Sequence, residues 1–261
     1  MRGRVIGALC VTAIAAGGCG GSDEPAGEEQ QVRAVVQEIM TATDPSICTR
    51  LATRGFLEQT TAERGSAAVR ACRKDADAVG AKKLTIDRVT VDGATAVAAI
   101  RPSGGTLPFE RATLALRRTD GSWKVDRLRG GTLDRAAFGR VLRTQLADEK
   151  VGASVADCAV RDLAGTSDGA IVRAYVEPDP RILVVPVAVC TIRVGLTQQQ
   201  MPSSLVDCIT GGARRELTSG ELGRKLAADP ANLALLESAA GEALGAKLAH
   251  ACVRKLKLTQ A

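Results

Sequence analysis

Residues 84–101, LTIDRVTVDGATAVAAIR, and 107–128, LPFERATLALRRTDGSWKVDRL, decide the fold. In both stretches apolar and polar side chains alternate, and a period of two sends successive side chains to opposite faces of an extended strand. Asp92-Gly93 and Asp120-Gly121 interrupt the alternation. Asp-Gly between two such runs suits a tight hairpin, whose central residues must take positive φ. Four strands are expected, 84–92, 94–101, 107–118 and 122–128, joined as an antiparallel meander. Trp123 and Val125 occupy alternate positions of the last strand, so Trp123 is expected to pack inward rather than to offer a ligand platform.

Upstream the period is helical. Val32, Val35, Val36 and Ile39 recur at the spacing of one apolar helix face. Asp44-Pro45 reads as a second helix start, since Asp caps and Pro is pre-set for the first helical position. That helix would carry Cys48, Leu51 and Phe56. A third, from about Ala62 to Val79, would set Ala68, Val69 and Cys72 against Arg70, Arg73 and Lys74. Three helices followed by a meander make an α+β domain. This order, with the ending Thr119-Asp120-Gly121-Ser122-Trp123-Lys124-Val125, resembles the nuclear transport factor 2-like family over about residues 28–129.

The resemblance implies a cone in which a curved sheet wraps a helix. Enzymes of that family move protons or hydrolyse substrates inside the cone, with an Asp or His base and a Tyr or second acid beside it. Asp87 and Glu110 sit on strands where such a base belongs. Their neighbours Arg88 and Arg111 instead suggest solvated strand faces. The single Tyr, Tyr175, and the single His, His250, lie outside the domain.

The N-terminus carries an address. Arg2 and Arg4 precede the apolar run Val5–Ala16, which is too short to span a bilayer and has the form of a secretory signal. Ala16-Gly17-Gly18-Cys19 resembles a bacterial lipobox, with Ala16 where that family usually has Leu. The resemblance implies cleavage after residue 18, diacylation of Cys19, and a flexible tether over 19–27 on the extracytoplasmic face of the cell membrane. The heavy use of Ala, and of Arg over Lys, suits a high-GC genome such as an actinobacterial one.

Cysteine usage agrees with export. Of eight cysteines, Cys10 leaves with the signal and Cys19 would take lipid. The remaining six, an even number in an oxidising compartment, allow fifteen connectivities. Zinc is a poor reading, because there is no Cys-x-x-Cys pair and one histidine. Cys48 and Cys72 on neighbouring helices are expected to pair.

Gly130-Gly131 reads as a boundary, after which strand signals nearly stop. Residues 133–146 place Ala137, Phe138, Val141, Leu142 and Leu146 on one helix face, opening a helical domain over 130–261. An internal duplication is expected there, at about 154–198 and 204–260. Ser154–Cys158 recurs as Ser204–Cys208, Thr166-Ser167 with Arg173 as Thr218-Ser219 with Arg224, and Asp179-Pro180 as Asp229-Pro230. Cys190 precedes Leu196-Thr197-Gln198 as Cys252 precedes Leu258-Thr259-Gln260. Equivalent bonds Cys158–Cys190 and Cys208–Cys252 follow. The longer second copy should add a helix near residues 233–243. The apolar run Ile182–Cys190, short and broken by Pro186, is expected to be a buried helix.

These readings exclude several functions. Aromatics make up 2% of the chain and charges of both signs are interspersed, so a nucleic-acid surface is not expected. The net charge of +6, or +4 once Arg2 and Arg4 leave, keeps attraction to an anionic membrane or wall polymer open. Ser154 and Ser204 lack a partner His and acid. Asp157 and Asp207 read as helix-surface or helix-start residues rather than cation ligands. No catalytic residue, metal or cofactor is expected. The chain reads as a lipid-anchored envelope protein with a non-enzymatic binding or scaffold role, its partner an envelope protein or a small apolar ligand. The alternative is a small-molecule carrier or enzyme using the cone of residues 28–129.

Overall fold

The computed structural model describes residues 24–61, 63–76, 80–148, 150–177, 181–228 and 239–256. The signal, Cys10, Cys19 and most of the tether lie outside these residues, as do both Asp-Pro landmarks, Leu258–Gln260 and most of the expected 233–243 helix. Within them the fold is α+β: helices α1 (Glu24–Thr41), α2 (Ile47–Arg50), α3 (Arg54–Thr61) and α4 (Ser66–Lys74), then strands β1 (Lys83–Asp92), β2 (Thr95–Ser103), β3 (Phe109–Thr119) and β4 (Ser122–Leu133). The strands form one antiparallel sheet in the order β1-β2-β3-β4. The helical half follows, with α5 (Arg135–Asp148), α6 (Ala153–Leu163), α7 (Asp168–Val176), α8 (Arg181–Gln198), α9 (Ser203–Ser219), α10 (Glu221–Ala228) and α11 (Ala239–Lys255).

The meander follows its turn chemistry. Asp120 and Gly121 both take positive φ between the paired residues Thr119 and Ser122, as a type I′ hairpin demands. One face of the sheet carries Ala98, Ile100, Phe109, Leu114, Leu116, Trp123, Val125 and Leu128 into a single core. Val32, Val36 and Met40 of α1 fill it from the other side, four residues apart on one helix face. Trp123 is 3% exposed, in keeping with an inward-packed aromatic.

Four helices, not three, precede the sheet. Phe56 sits on α3 rather than on the Cys48 helix. The break between them has a cause: Leu51 and Thr53 leave the helix to exchange backbone hydrogen bonds with Val125 of β4, and the Thr53 hydroxyl then caps α3 by accepting from the Phe56 N–H at 3.2 Å. The Ala62–Val79 helix is shorter than expected, because Gly65 at φ +57 sets its start at Ser66. The break expected at Gly130-Gly131 falls inside β4, which pairs with β3 as far as Leu133. Gly131 marks a close approach: a Cβ there would stand 2.3 Å from the Arg111 carbonyl oxygen. Helix α5 then starts at Arg135, with the Asp134 carboxylate accepting from the Ala137 N–H at 2.8 Å.

In the helical half Cys158–Cys190 ties α6 to α8, and Cys208–Cys252 ties α9 to α11. Cys48–Cys72 ties α2 to α4. Helix α8 is the one described helix long and apolar enough, by length and composition, to cross a membrane. Its central residues Val185–Cys190, Pro186 among them, are buried inside the protein.

Candidate functional site

The side of the sheet that faces α1 and α3 is filled by side chains. Phe56 and Leu57 of α3 join α1 and the sheet in the same cluster. At one end Arg118 lies over the Trp123 ring at 4.9 Å and makes an ion pair with Glu28 of α1. This cation–π contact covers the ring whose Nε1 is buried without a hydrogen-bond partner. At the other end the helical half closes over the sheet. The Tyr175 ring of α7 meets Phe109 edge-on at 5.5 Å, with Val172 and Val176 beside it. Burial pushes the Tyr175 phenol up to about 12, so it is neutral at physiological pH.

Gln59 of α3 locks this arrangement. Its amide donates to the carbonyls of Leu128 at 2.8 Å and Val176 at 2.7 Å, and its oxygen accepts from the Leu128 N–H at 2.7 Å. One side chain thus satisfies backbone groups on β4 and α7 together. Tyr175 and Gln59 are the residues sequence reasoning missed. Tyr175 belongs to the helical half in sequence, and its only signal is its place in the apolar run Ile171, Val172, Tyr175 and Val176, the last three of which also reach the sheet core.

The candidate carboxylates are elsewhere. Pairing passes from Ile86 to Arg88 in β1 and from Phe109 to Arg111 in β3, so Asp87 and Glu110 are the extra residues of two β-bulges. Both are exposed. Asp87 accepts from Arg101 Nε at 2.9 Å and Nη2 at 2.6 Å. A third bulge holds Asp126, which accepts from the Thr53 hydroxyl at 3.0 Å and pairs with Arg117 at 2.9 Å and Arg127 at 3.3 Å. That carboxylate fastens the Leu51–Thr53 segment to the sheet edge.

The remaining candidates are also accounted for. His250, Ser154 and Ser204 are exposed. Asp157 pairs with Arg143 at 2.7 Å, and Asp207 with Arg193 at 3.1 Å. No group of His, Cys, Asp and Glu able to hold a metal occurs among the described residues. A shallow depression of about 170 Å³ lies between α9, α10 and α11, lined by Glu216, Glu221, Leu222, Lys225 and Leu244. Its charged walls answer each other: Lys225 binds Glu221 at 2.9 Å and holds that carboxyl below its usual range.

The two Asp–Arg pairs stand in similar local surroundings. Lys150 and Gln200, fifty positions apart, both take positive φ at the ends of α5 and α8. Val151 N–H donates to Leu146 O, and Met201 N–H to Leu196 O. Gly152 and Pro202 then precede α6 and α9. The correspondence therefore reaches one helix upstream of Ser154, to Arg143 and Arg193. No family model, curated protein or solved structure matches the chain.

Proposed function

We propose that this is a lipid-anchored extracytoplasmic envelope protein that acts as a non-enzymatic scaffold, pairing a nuclear transport factor 2-like cone with a duplicated helical array. The observation that carries the reading is Ala16-Gly17-Gly18-Cys19 at the end of a signal-like run. The disulfides support it. Cys48, Cys72, Cys158, Cys190, Cys208 and Cys252 form three bonds, which leaves Cys10 and Cys19 as the remaining cysteines of the eight. Such bonds persist in oxidising compartments. Cleavage before Cys19 would leave one thiol on the mature chain, at the residue to be acylated. For the scaffold role, the support is that the sheet face toward α1 and α3 is packed by its own side chains while Asp87 and Glu110 stand on exposed bulges.

The test is metabolic labelling with a radioactive fatty acid. Wild-type protein takes the label, Cys19→Ala does not and is released or left unprocessed, and Cys10→Ala behaves as wild type. Unlabelled wild-type protein replaces the anchor with plain secretion.

A further inference from the structure

The cations that are scattered along the strands converge in space. On the face of the sheet opposite the core, pairing sets Lys83 across from Ser103, Thr85 from Arg101, Arg88 from Ala99, Arg111 from Thr132, Arg117 from Lys124, and Ala115 from Arg127. Because side chains alternate faces, residues that point away from Ile100, Leu114 and Val125 share one surface. That surface has a centre of small side chains, Val97, Ala99, Thr113 and Ala115, framed by Lys83, Arg88, Arg101, Arg111, Arg117, Lys124 and Arg127. The interspersed charge of the sequence is thus a basic face in the fold.

The side chains of Arg101, Arg117 and Arg127 are more than half exposed. Asp87 offsets Arg101, and Asp126 offsets Arg117 and Arg127. Asp92 and Glu110 stand at the margins. Among the described residues, Lys83, Arg88 and Arg111 have no ion-pair partner. The helices α1, α3 and α7 pack on the other side, in the core cluster or against it.

We infer that this face rests on anionic phospholipid headgroups, an inference that builds on the reading of Cys19 as a lipid anchor. Two observations select this occupant. Cys19 precedes α1 by five residues, about 18 Å of extended chain at most. Helix α1 meets the sheet near its β3–β4 turn, where Glu28 binds Arg118 beside Arg117 and Lys124, so the tether ends within reach of the basic face. A second copy of the chain is disfavoured, since a two-fold axis through this face would set cations against cations. Aromatic anchors are missing from the face: Phe109 and Trp123 of the sheet point into the core. Contact is therefore electrostatic and reversible, a rest position for a tethered domain rather than insertion. Each Lys or Arg near an anionic surface raises partitioning about fivefold.

The experiment uses the mature chain with Cys19→Ser, so that no acyl chain contributes, in flotation with two vesicle types: phosphatidylcholine alone, and phosphatidylcholine with about one third phosphatidylglycerol. The chain is expected to float only with the anionic vesicles and to be released as salt shortens the screening length. Lys83→Gln, Arg88→Gln and Arg111→Gln together should lower partitioning by at least about tenfold. Arg140→Gln, Arg161→Gln and Arg173→Gln, on the helical half, remove the same charge and should leave it nearly unchanged. Equal loss in both triple variants would show that net charge alone is responsible and overturn the inference. So would absence of binding, equal flotation with neutral vesicles, or a dimer in sedimentation that the first variant dissolves. If the first variant fails to fold, the vesicle and salt dependence of the parent chain still decide. Fatty-acid labelling of the wild type is read separately, so the anchor can fail while the face stands, and the reverse.

Discussion

The sheet half and the helical half are built on different economies of contact. In the sheet half, residues far apart in sequence converge on one large core, from Val32 of α1 to Leu128 of β4, with a small satellite of Ile47, Cys48 and Leu51 beside it. The helical half divides its apolar residues among separate clusters. One is centred on Leu142, Leu163 and Ile171, one on Val185, Val189 and Leu217, and one on Leu205, Ile209 and Cys252. Two of the three clusters include a disulfide cysteine: Cys190, 1% exposed, in the first and Cys252, 4% exposed, in the last. Covalent links thus stand in for core where short amphipathic helices cannot enclose enough of it.

The largest effect is expected where this substitution of bond for core is most complete. Replacing Cys208 and Cys252 by Ala opens a link spanning 44 residues. In the chain-entropy account this costs about 4 kcal/mol. Hydrogen exchange should then show α9 and α11 losing protection while β2 and β3 keep theirs. Loss of protection in the sheet at the same time would mean that the two halves unfold as one unit, and the contrast drawn here would fail.

A smaller effect tests the seam between the halves. The Tyr175 phenol titrates near 10 when exposed and is pushed up to about 12 in the fold. Its neutral form is the one the folded state favours. Its contribution is therefore complete below pH 10 and is lost as pH rises toward 12, about 2 to 3 kcal/mol in all. Tyr175→Phe keeps the ring against Phe109 and should remove this part of the alkaline loss. Denaturant midpoints of the two proteins across that window give the difference. Parallel curves would place the phenol in water and loosen α7 from the sheet.

The smallest effect is expected at the two bulges. Asp87→Asn with Glu110→Gln removes one exposed ion pair and one exposed carboxylate that has no partner among the described residues, so stability should change by no more than about 1 kcal/mol. Complementation by the anchored protein should be intact. A removed general base typically costs a hundredfold or more in rate. Loss of function at unchanged folding and membrane level would move catalysis to the sheet and refute the scaffold reading.

What the sequence made legible follows the range of the physics. Asp120-Gly121 is a local signal, and the hairpin is where it was expected. Two of the disulfides were legible in the similar spacing around their cysteines, and Cys158–Cys190 and Cys208–Cys252 are both present. Gly130-Gly131 misled, since a glycine pair that reads as punctuation can equally be a strand passing close to its neighbour's backbone. Phe56 was placed on the wrong helix because the break before it comes from hydrogen bonds to Val125, more than seventy residues away. Tyr175 was unreadable for the same reason: nothing near it in sequence reports that Phe109 is its neighbour. The basic face needed the register, which no run of like charges announces.

The matched turns at Lys150 and Gln200 have a consequence for how such a chain can change. Helix α8 links both ways: Cys190 bonds back to α6, and Arg193 reaches forward to Asp207 of α9. The segment 151–200 ends in the backbone geometry that precedes it, and it offers Asp157 to Arg143 of the helix before it and Arg193 to Asp207 of the helix after it. Lengthening or shortening the array by whole units preserves every junction, whereas an insertion of any other length must rebuild one.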